Sequence, residues 1–140
     1  MFLDEPLSLF VAAGIGVFNE TIFQTSMAHI PETGDGPFLT LVGTGGTPVP
    51  THNSRLQPAY VDTNLQLFAR GTDPVAVFDM LLACLAVLYP IANQLVAGVW
   101  WLSVTPLQVV PMDLGVDDNE RINMSLNFVI RRRPNAAMSS

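Results

Sequence analysis

Few side chains of the types that carry chemistry occur in this 140-residue sequence. His29 and His52 are its histidines, and Cys84 is its cysteine. Neither histidine lies in an H-E-x-x-H pattern, and one cysteine cannot form an internal disulfide or a multi-cysteine zinc site. A Cys–His pair could form a nucleophilic site, but we expect Cys84 to be a small buried hydrophobe within a helix. We therefore predict no catalytic residue, no metal or cofactor site, and a protein that is not an enzyme.

Two further segments have compositions found in ligand sites. The Gly-rich segment 43–47 follows a predicted strand, but its spacing is not that of a phosphate loop, and the chain contains no lysine. The acidic side chains of Asp113, Asp117, Asp118 and Glu120 could bind a hard cation, although the EF-hand spacing is absent. We interpret the first segment as part of a structural loop over 43–54 and the second as a solvated turn.

The remaining candidates are typical of contacts between protein subunits. Arg131, Arg132 and Arg133 form the basic cluster of the chain. These side chains could pair with the acidic turn of another copy, from Asp117 and Asp118 to Glu120, or they could end a strand in solvent. Three cations on an acidic chain are too few to hold DNA firmly, because each neutralised phosphate contributes only modestly to affinity.

Two adjacent tryptophans lie on a predicted strand and must therefore face opposite sides of it. Trp100 shares its side with Leu102 and Val104, so we predict that it is a core residue. Trp101 shares its side with polar residues, which predicts an aromatic side chain on the outer face of a sheet. Tryptophan is enriched at the energetic centres of interfaces, so Trp101 is a predicted subunit contact. On this interpretation Trp101→Asp impairs assembly of a folded subunit, whereas Trp100→Asp unfolds it.

Hydrophobic periodicity and turn residues predict the elements that position these side chains. A helix is predicted over 4–18 with Asp4 as its cap, and Gly14 and Gly16 either weaken it or mark a close contact. The predicted strands cover 38–42, 60–70, 99–107 and 121–131, with an acidic turn over 113–120 between the last two. The result is an α+β fold, an antiparallel sheet of about four to five strands with two helices packed on one face.

The main helix is predicted to start with Asp73 as N-cap and Pro74 in its first turn. It ends near Pro90 or continues with a kink to Gly98. One stripe of the helix is apolar and is predicted to face the core: Phe78, Leu81, Leu82, Leu85 and Leu88. The opposite side carries Asp79 and the small residues Ala83 and Ala86, and such a weakly polar side is a predicted subunit or partner contact.

The composition limits the possible classes of function. The formal net charge is -6, which argues against nucleic-acid binding as the main task. The chain is 49% hydrophobic with only 13% charged residues, so part of its surface is expected to face other protein or lipid. Residues 74–92 approach the length of a membrane span, but Asp79, Pro90 and the absence of flanking basic residues argue against spanning.

The order of several segments resembles the phage minor capsid proteins, which are tail terminators or tail completion proteins of long-tailed bacteriophages. The resemblance covers about residues 34–132. It depends on the Gly-Gly loop followed by Thr51-His52-Asn53, a Pro-Ala-Tyr strand that ends in Arg70-Gly71, and a Pro-Leu-Gln step before Leu-Gly-x-Asp-Asp. None of these segments is a catalytic signature, and only their order and spacing carry the likeness.

The resemblance implies a non-enzymatic structural protein of the virion, made in the host cytoplasm. Such subunits form a homo-oligomeric ring, a hexamer, on the tail tube. The ring caps polymerisation of the tube protein and joins it to the head–tail connector or stopper, and the genome passes through its centre. Another neck protein, a stopper or adaptor, is the nearest alternative, and a small membrane-associated protein is a further one. The predicted domain covers 1–134, with the N-terminal helix and extended segment in 1–33, and a flexible tail covers 135–140.

Overall fold

Two helices and seven strands lie in the part of the chain that the structure describes. This computed structural model describes residues 2–25, 30–31, 33–48 and 60–133, with only the backbone over 44–48. The helices are α1 (Asp4–Ala12) and α2 (Pro74–Leu88). The strands are β1 (Ile22–Gln24), β2 (Phe38–Pro48), β3 (Val61–Gly71), β4 (Ala92–Val96), β5 (Val99–Pro106), β6 (Met112–Val116) and β7 (Ile122–Arg132). The predicted α+β class is confirmed.

All seven strands belong to one sheet with the order β1-β2-β3-β7-β5-β4, and β6 also pairs with β7. Strand β3 pairs with β7 along its whole length. The other edge of β7 is shared, because β6 pairs with residues 122–125 and β5 pairs with residues 128–132. Strands β1 and β2 are parallel, whereas the other pairs are antiparallel. The prediction of four to five antiparallel strands was therefore too low, and the sheet is mixed.

The three strands that the prediction missed are short. Strand β1 has three residues, and β4 and β6 have five each. Strand β4 forms a hairpin with β5, and its turn residues Ala97 and Gly98 both have positive φ, which is typical of tight two-residue hairpin turns. Strand β6 overlaps the first half of the predicted acidic turn and is exposed along its length, so it shows no alternation of buried and exposed residues. The predicted loop over 43–54 begins as a continuation of β2.

Helix α2 begins as predicted, because the Asp73 side chain accepts a hydrogen bond from the Val75 main-chain N–H at 3.0 Å. It ends at Leu88, so continuation to Gly98 was wrong. Its buried residues are Val77, Met80, Leu81, Cys84 and Leu88. Phe78, Leu82 and Leu85 are only half-buried, at the side of the helix. The buried face of α2 is therefore rotated relative to the predicted stripe. The helix is apolar nearly all round, so periodicity could not define which side faces the sheet.

Helix α2 has 15 residues, fewer than the roughly 20 that span a bilayer. The segment 74–92, considered above as a span, is divided between α2, a short turn and the first residue of β4. Among the helices of the described ranges, none has both the length and the apolar character needed to cross a membrane.

Helix α1 is shorter than predicted. It ends at Ala12, two residues before Gly14, whose φ of 77° is left-handed and incompatible with continuing the helix. Asp4 lies in the first turn and is not the cap, because the N-cap position is Leu3. Gly16 marks a close contact, since a Cβ atom there would collide with the Thr21 side chain. Both glycines therefore have structural roles after the helix has ended.

The core lies between the two helices and one face of the sheet. Its largest fully buried side chains come from both helices and from five strands: Trp101, Phe10, Phe128, Ile22, Leu39, Leu41, Leu65, Leu67, Leu81, Leu88, Leu126 and Ile130. A small second cluster of Phe23, Ile30 and Phe38 lies near β1. We call the sheet face opposite the helices the outer face.

Candidate subunit interface

The outer face is made mostly of hydroxyl and amide side chains. Because residues that oppose each other on paired strands share a face, the register places the following residues there: Asp62, Asn64, Gln66, Phe68 and Arg70 of β3, Asn123, Ser125, Asn127, Val129 and Arg131 of β7, and Ser103 and Thr105 of β5. Most are half-buried by their neighbours. The outer face is therefore a weakly charged surface of the kind that another protein can cover.

The two tryptophans have the opposite orientation to the prediction. Trp101 is fully buried, whereas Trp100 is 37% exposed. The reason is an irregularity in β5: Trp101 pairs with Arg132 but Ser103 pairs with Arg131, so Leu102 is the extra residue of a β-bulge. A bulge shifts the alternation by one residue, so the parity inferred from Val104 does not extend back to the tryptophans. The predicted surface role of Trp101 was wrong, since it has no exposed surface.

Trp101 lies in a buried polar network that joins α1 to the sheet. Its indole Nε1–H donates a hydrogen bond to Glu5 Oε1 at 2.7 Å. The Arg132 guanidinium donates to both carboxylate oxygens of Glu5, at 3.1 Å and 2.6 Å, and lies 5.1 Å from the Phe2 ring centroid. The Glu5 carboxylate thus accepts three hydrogen bonds from two residues, and both of these residues lie on β-strands distant from it in the chain.

Arg131 also has its partner within the chain. Its guanidinium donates to both carboxylate oxygens of Asp62, at 2.9 Å and 3.1 Å, across the β3–β7 pair. The hydrogen bond with Asp62 raises the pKa of Arg131, so this guanidinium stays charged. Arg131 and Arg132 are therefore held by Asp62 and Glu5 of the same subunit, in contrast to the predicted pairing with the acidic turn of another copy.

Arg133 differs from these two arginines because it is exposed. Its guanidinium lies 5.9 Å from the Tyr60 ring centroid, and its main-chain N–H donates to the Trp100 carbonyl oxygen at 2.8 Å. Leu95 opposes Trp100 on β4 and is 61% exposed. Tyr60 directly before β3, Arg133 directly after β7, Trp100 of β5 and Leu95 of β4 thus form a continuous line along one end of the outer face, and we call this line the outer row.

The composition of the outer row is that of an interface centre. Tyrosine, tryptophan and arginine are the residue types most enriched at the energetic hot spots of interfaces. Neighbouring strands lie about 4.8 Å apart, so the row is about 14 Å wide. It ends at β4, an edge strand whose residues 92–96 include neither a charge nor a proline. Charged residues and prolines normally protect a free sheet edge against pairing with other chains, so β4 lacks this protection.

The acidic turn between β6 and β7 is held rigidly by one of its own carboxylates. Asp117 accepts hydrogen bonds from the main-chain N–H groups of Asn119 and Arg121 and from the Arg121 guanidinium, at 2.8 to 2.9 Å. Burial alone would raise the pKa of Asp117, but these hydrogen bonds together lower it below its usual value. Arg121 in turn donates to the Pro31 carbonyl oxygen at 2.7 Å. Asp117 is therefore a structural residue of the turn, whereas Asp118 and Glu120 are exposed.

The exposed side of α2 carries Asp79, Ala83 and Ala86, as predicted. Beside it, the last two turns of the helix and the segment after β5 enclose an apolar groove of about 320 Å³. Its lining residues are Leu82, Leu85, Ala86, Tyr89, Pro106 and Val109. The role of Ala83 and Ala86 as contact residues stays a prediction.

Within the described ranges, no group of three or more His, Cys, Asp or Glu side chains is arranged to hold a metal ion. His29 and His52 lie outside the described residues, as does the Thr-His-Asn turn. Cys84 is a fully buried residue of α2, and burial raises the pKa of its thiol. A raised pKa keeps the group in the unreactive thiol form at neutral pH.

We expect Cys84 in the native protein to resist alkylation by iodoacetamide at pH 7.5. Its modification should require unfolding, because neither the reagent nor the thiolate form is available within the core. The measurement is the mass of the protein after timed exposure, with a sample in denaturant as the fully reactive control. Rapid alkylation without denaturant would contradict the buried position.

No protein-family model and no curated protein matches this chain. Among solved structures, it is similar to a chain of the "Virion of native gene transfer agent (GTA) particle". The TM-score is 0.53 with 13% sequence identity, over 90% of this chain and 84% of that chain. The two chains share a fold. The similarity covers most of both chains, so it concerns the overall fold and not a single local motif.

Sequence reasoning missed Leu95 and Trp100 as surface residues. A signal for Leu95 was present, because Ala97-Gly98 between two apolar segments is compatible with a tight hairpin turn and hence with a strand before it. The exposure of Trp100 had no such signal, because it follows from the bulge at Leu102. Asp118 and Glu120 were predicted correctly to be exposed.

Proposed function

We propose that this chain is a structural virion protein without enzymatic activity, and more specifically a tail terminator or tail completion protein. It forms a homo-oligomeric ring, a hexamer, at the head-proximal end of the tail tube of a long-tailed bacteriophage. The ring caps polymerisation of the tube protein and joins it to the head–tail connector. The observation that carries the proposal is the fold shared with a virion chain over 90% of this sequence.

The exposed surface supports a subunit with large protein contacts. Six large hydrophobic residues are at least 45% exposed in the short stretch from Leu107 to Val116: Leu107, Val109, Val110, Met112, Leu114 and Val116. Apolar side chains gathered in this way mark surfaces that other proteins cover. The sparse charge of the whole chain agrees with this, since a subunit covered by its neighbours needs few ionic groups for solubility.

The net charge of -6 supports a ring through which DNA passes without being held. Four of the five arginines in the described ranges lie in ion pairs within the chain: Arg131 pairs with Asp62, Arg132 pairs with Glu5, and Arg70 and Arg121 share the carboxylate of Asp117. A surface with so little free positive charge has weak affinity for phosphate, so a genome can slide past it.

The experiment is the mass of the purified protein in solution, followed by imaging of the assembly in which it sits. We expect a ring of several copies that binds one end of the tail tube and stops its growth. A strict monomer that binds no tail component would contradict the proposal. A ring that binds the head connector but not the tube would instead indicate a stopper or adaptor.

A further inference from the structure

The outer row and the acidic turn lie at opposite ends of the same strand. Strand β7 starts two residues after Glu120 and ends one residue before Arg133, and its 11 residues extend over roughly 35 Å. The two surfaces therefore cannot meet within one subunit. Contact between two different surfaces of identical subunits is head-to-tail, which is the type of contact that closes into a ring.

The two surfaces are complementary in charge and in apolar character. The outer row combines exposed apolar area on Trp100 and Leu95 with the cation of Arg133, which none of the ion pairs of the described residues includes. The acidic turn combines the exposed carboxylates of Asp118 and Glu120 with exposed apolar side chains of β6 directly before it. Opposite charges surrounded by apolar contacts favour the correct pair of surfaces over a pair of like surfaces.

The turn is also ordered before any contact forms. Asp117 accepts hydrogen bonds from two main-chain N–H groups of the turn and from the Arg121 guanidinium, and Arg121 anchors the turn to Pro31. Asp118 and Glu120 are thus presented on a rigid loop, which lowers the entropy cost of binding. We propose that the outer row of one subunit binds the acidic turn of the next copy, with Arg133 facing Asp118 and Glu120. This inference rests on the proposed ring and names the surfaces that close it.

The test is an exchange of charges between the two surfaces. One variant is Arg133→Glu, and the other is Asp118→Arg combined with Glu120→Arg. Each variant alone places like charges in every contact, so we expect association to weaken by roughly a hundredfold and the subunit to sediment as a monomer. Mixed in equal amounts, the two variants have opposite charges in every contact and should assemble in alternation, with a one-to-one composition by native mass spectrometry.

Matched controls separate this contact from general effects of charge. Arg133→Lys keeps the cation and should assemble as the original chain does. Glu20→Arg with Asp35→Arg makes the same change in net charge at two other exposed carboxylates, and it should also leave assembly intact. Circular dichroism of every variant should match that of the original chain, because all of these side chains are exposed.

Several results would overturn the inference while the proposed function stood. These are normal assembly of either charge-reversed variant, failure of the mixture to assemble, and equal loss of assembly in the Glu20 and Asp35 control. If the original chain itself stayed monomeric and bound no tail component, the proposed function would fail together with this inference. If the mixture fails to assemble while the original chain forms a ring, the proposed pair of contact surfaces is wrong and the proposed function stands.

Discussion

Trp101→Ala will destabilise the folded subunit by roughly 3–5 kcal/mol, a large part of the stability of a small domain. The indole is fully buried, so alanine leaves a cavity among the residues of the core. The substitution also removes the N–H group that donates to Glu5, which leaves a buried carboxylate with fewer partners. The measurement is the free energy of unfolding from urea denaturation, followed by far-UV circular dichroism.

Trp100→Ala is the matched control, because it makes the same chemical change one residue away. Trp100 is 37% exposed on the outer row, so we expect a loss of at most about 1 kcal/mol of stability. Association between subunits should weaken instead, since the contact surface loses its largest side chain. Equal losses of stability at the two positions, or a larger loss at Trp100, would contradict the bulge at Leu102 and the burial of Trp101.

Glu5→Ala will have the second large effect, a loss of roughly 3 kcal/mol in the free energy of unfolding. The change leaves the Arg132 guanidinium without its carboxylate and the Trp101 N–H without its acceptor, both in a largely buried position. Glu5→Gln keeps an oxygen that can accept from Trp101 but removes the charge. We therefore expect the free energy of unfolding of Glu5→Gln, measured by urea denaturation, to lie between those of Glu5→Ala and the original chain.

Asp62→Ala provides the comparison for Glu5→Ala. It removes a bidentate carboxylate partner from Arg131, the residue next to Arg132 on β7, but the side chains of this pair are 41% and 25% exposed. Water can solvate the arginine that remains, so we expect a loss below about 1 kcal/mol. An equal loss in the free energy of unfolding for Asp62→Ala and Glu5→Ala would mean that burial does not decide how much each ion pair stabilises the fold.

Local patterns were sufficient where a structural feature depends on neighbours in the chain. The N-cap Asp73 and the following Pro74 predicted the start of α2, because capping involves only residues two or three positions away. The strands β3 and β7 were predicted from alternation over about ten residues. Strands β4 and β6 have only five residues and are largely exposed, so neither contains enough alternation to be distinguished from a turn.

The candidate interface was predicted less well, because it depends on strand register. Leu102 occupies a bulge only because β5 must pair with β7, and this pairing exchanges the faces of Trp100 and Trp101. The arginines were assigned to a partner subunit or to solvent, because sequence distance gives no information on which carboxylate lies nearby. Glu5 and Arg132 are 127 residues apart, and the folded sheet brings them within 2.6 Å.

Composition and local periodicity were thus enough to establish the α+β class, the main helix and the low proportion of charged residues. These properties depend on residue types and short spacings, which the chain carries whether or not it is folded. The identity of the exposed tryptophan, the internal partners of Arg131 and Arg132, and the outer row depend on the pairing of strands distant in sequence. Such pairings are set by the packing of the whole core, so they exist only in the folded molecule.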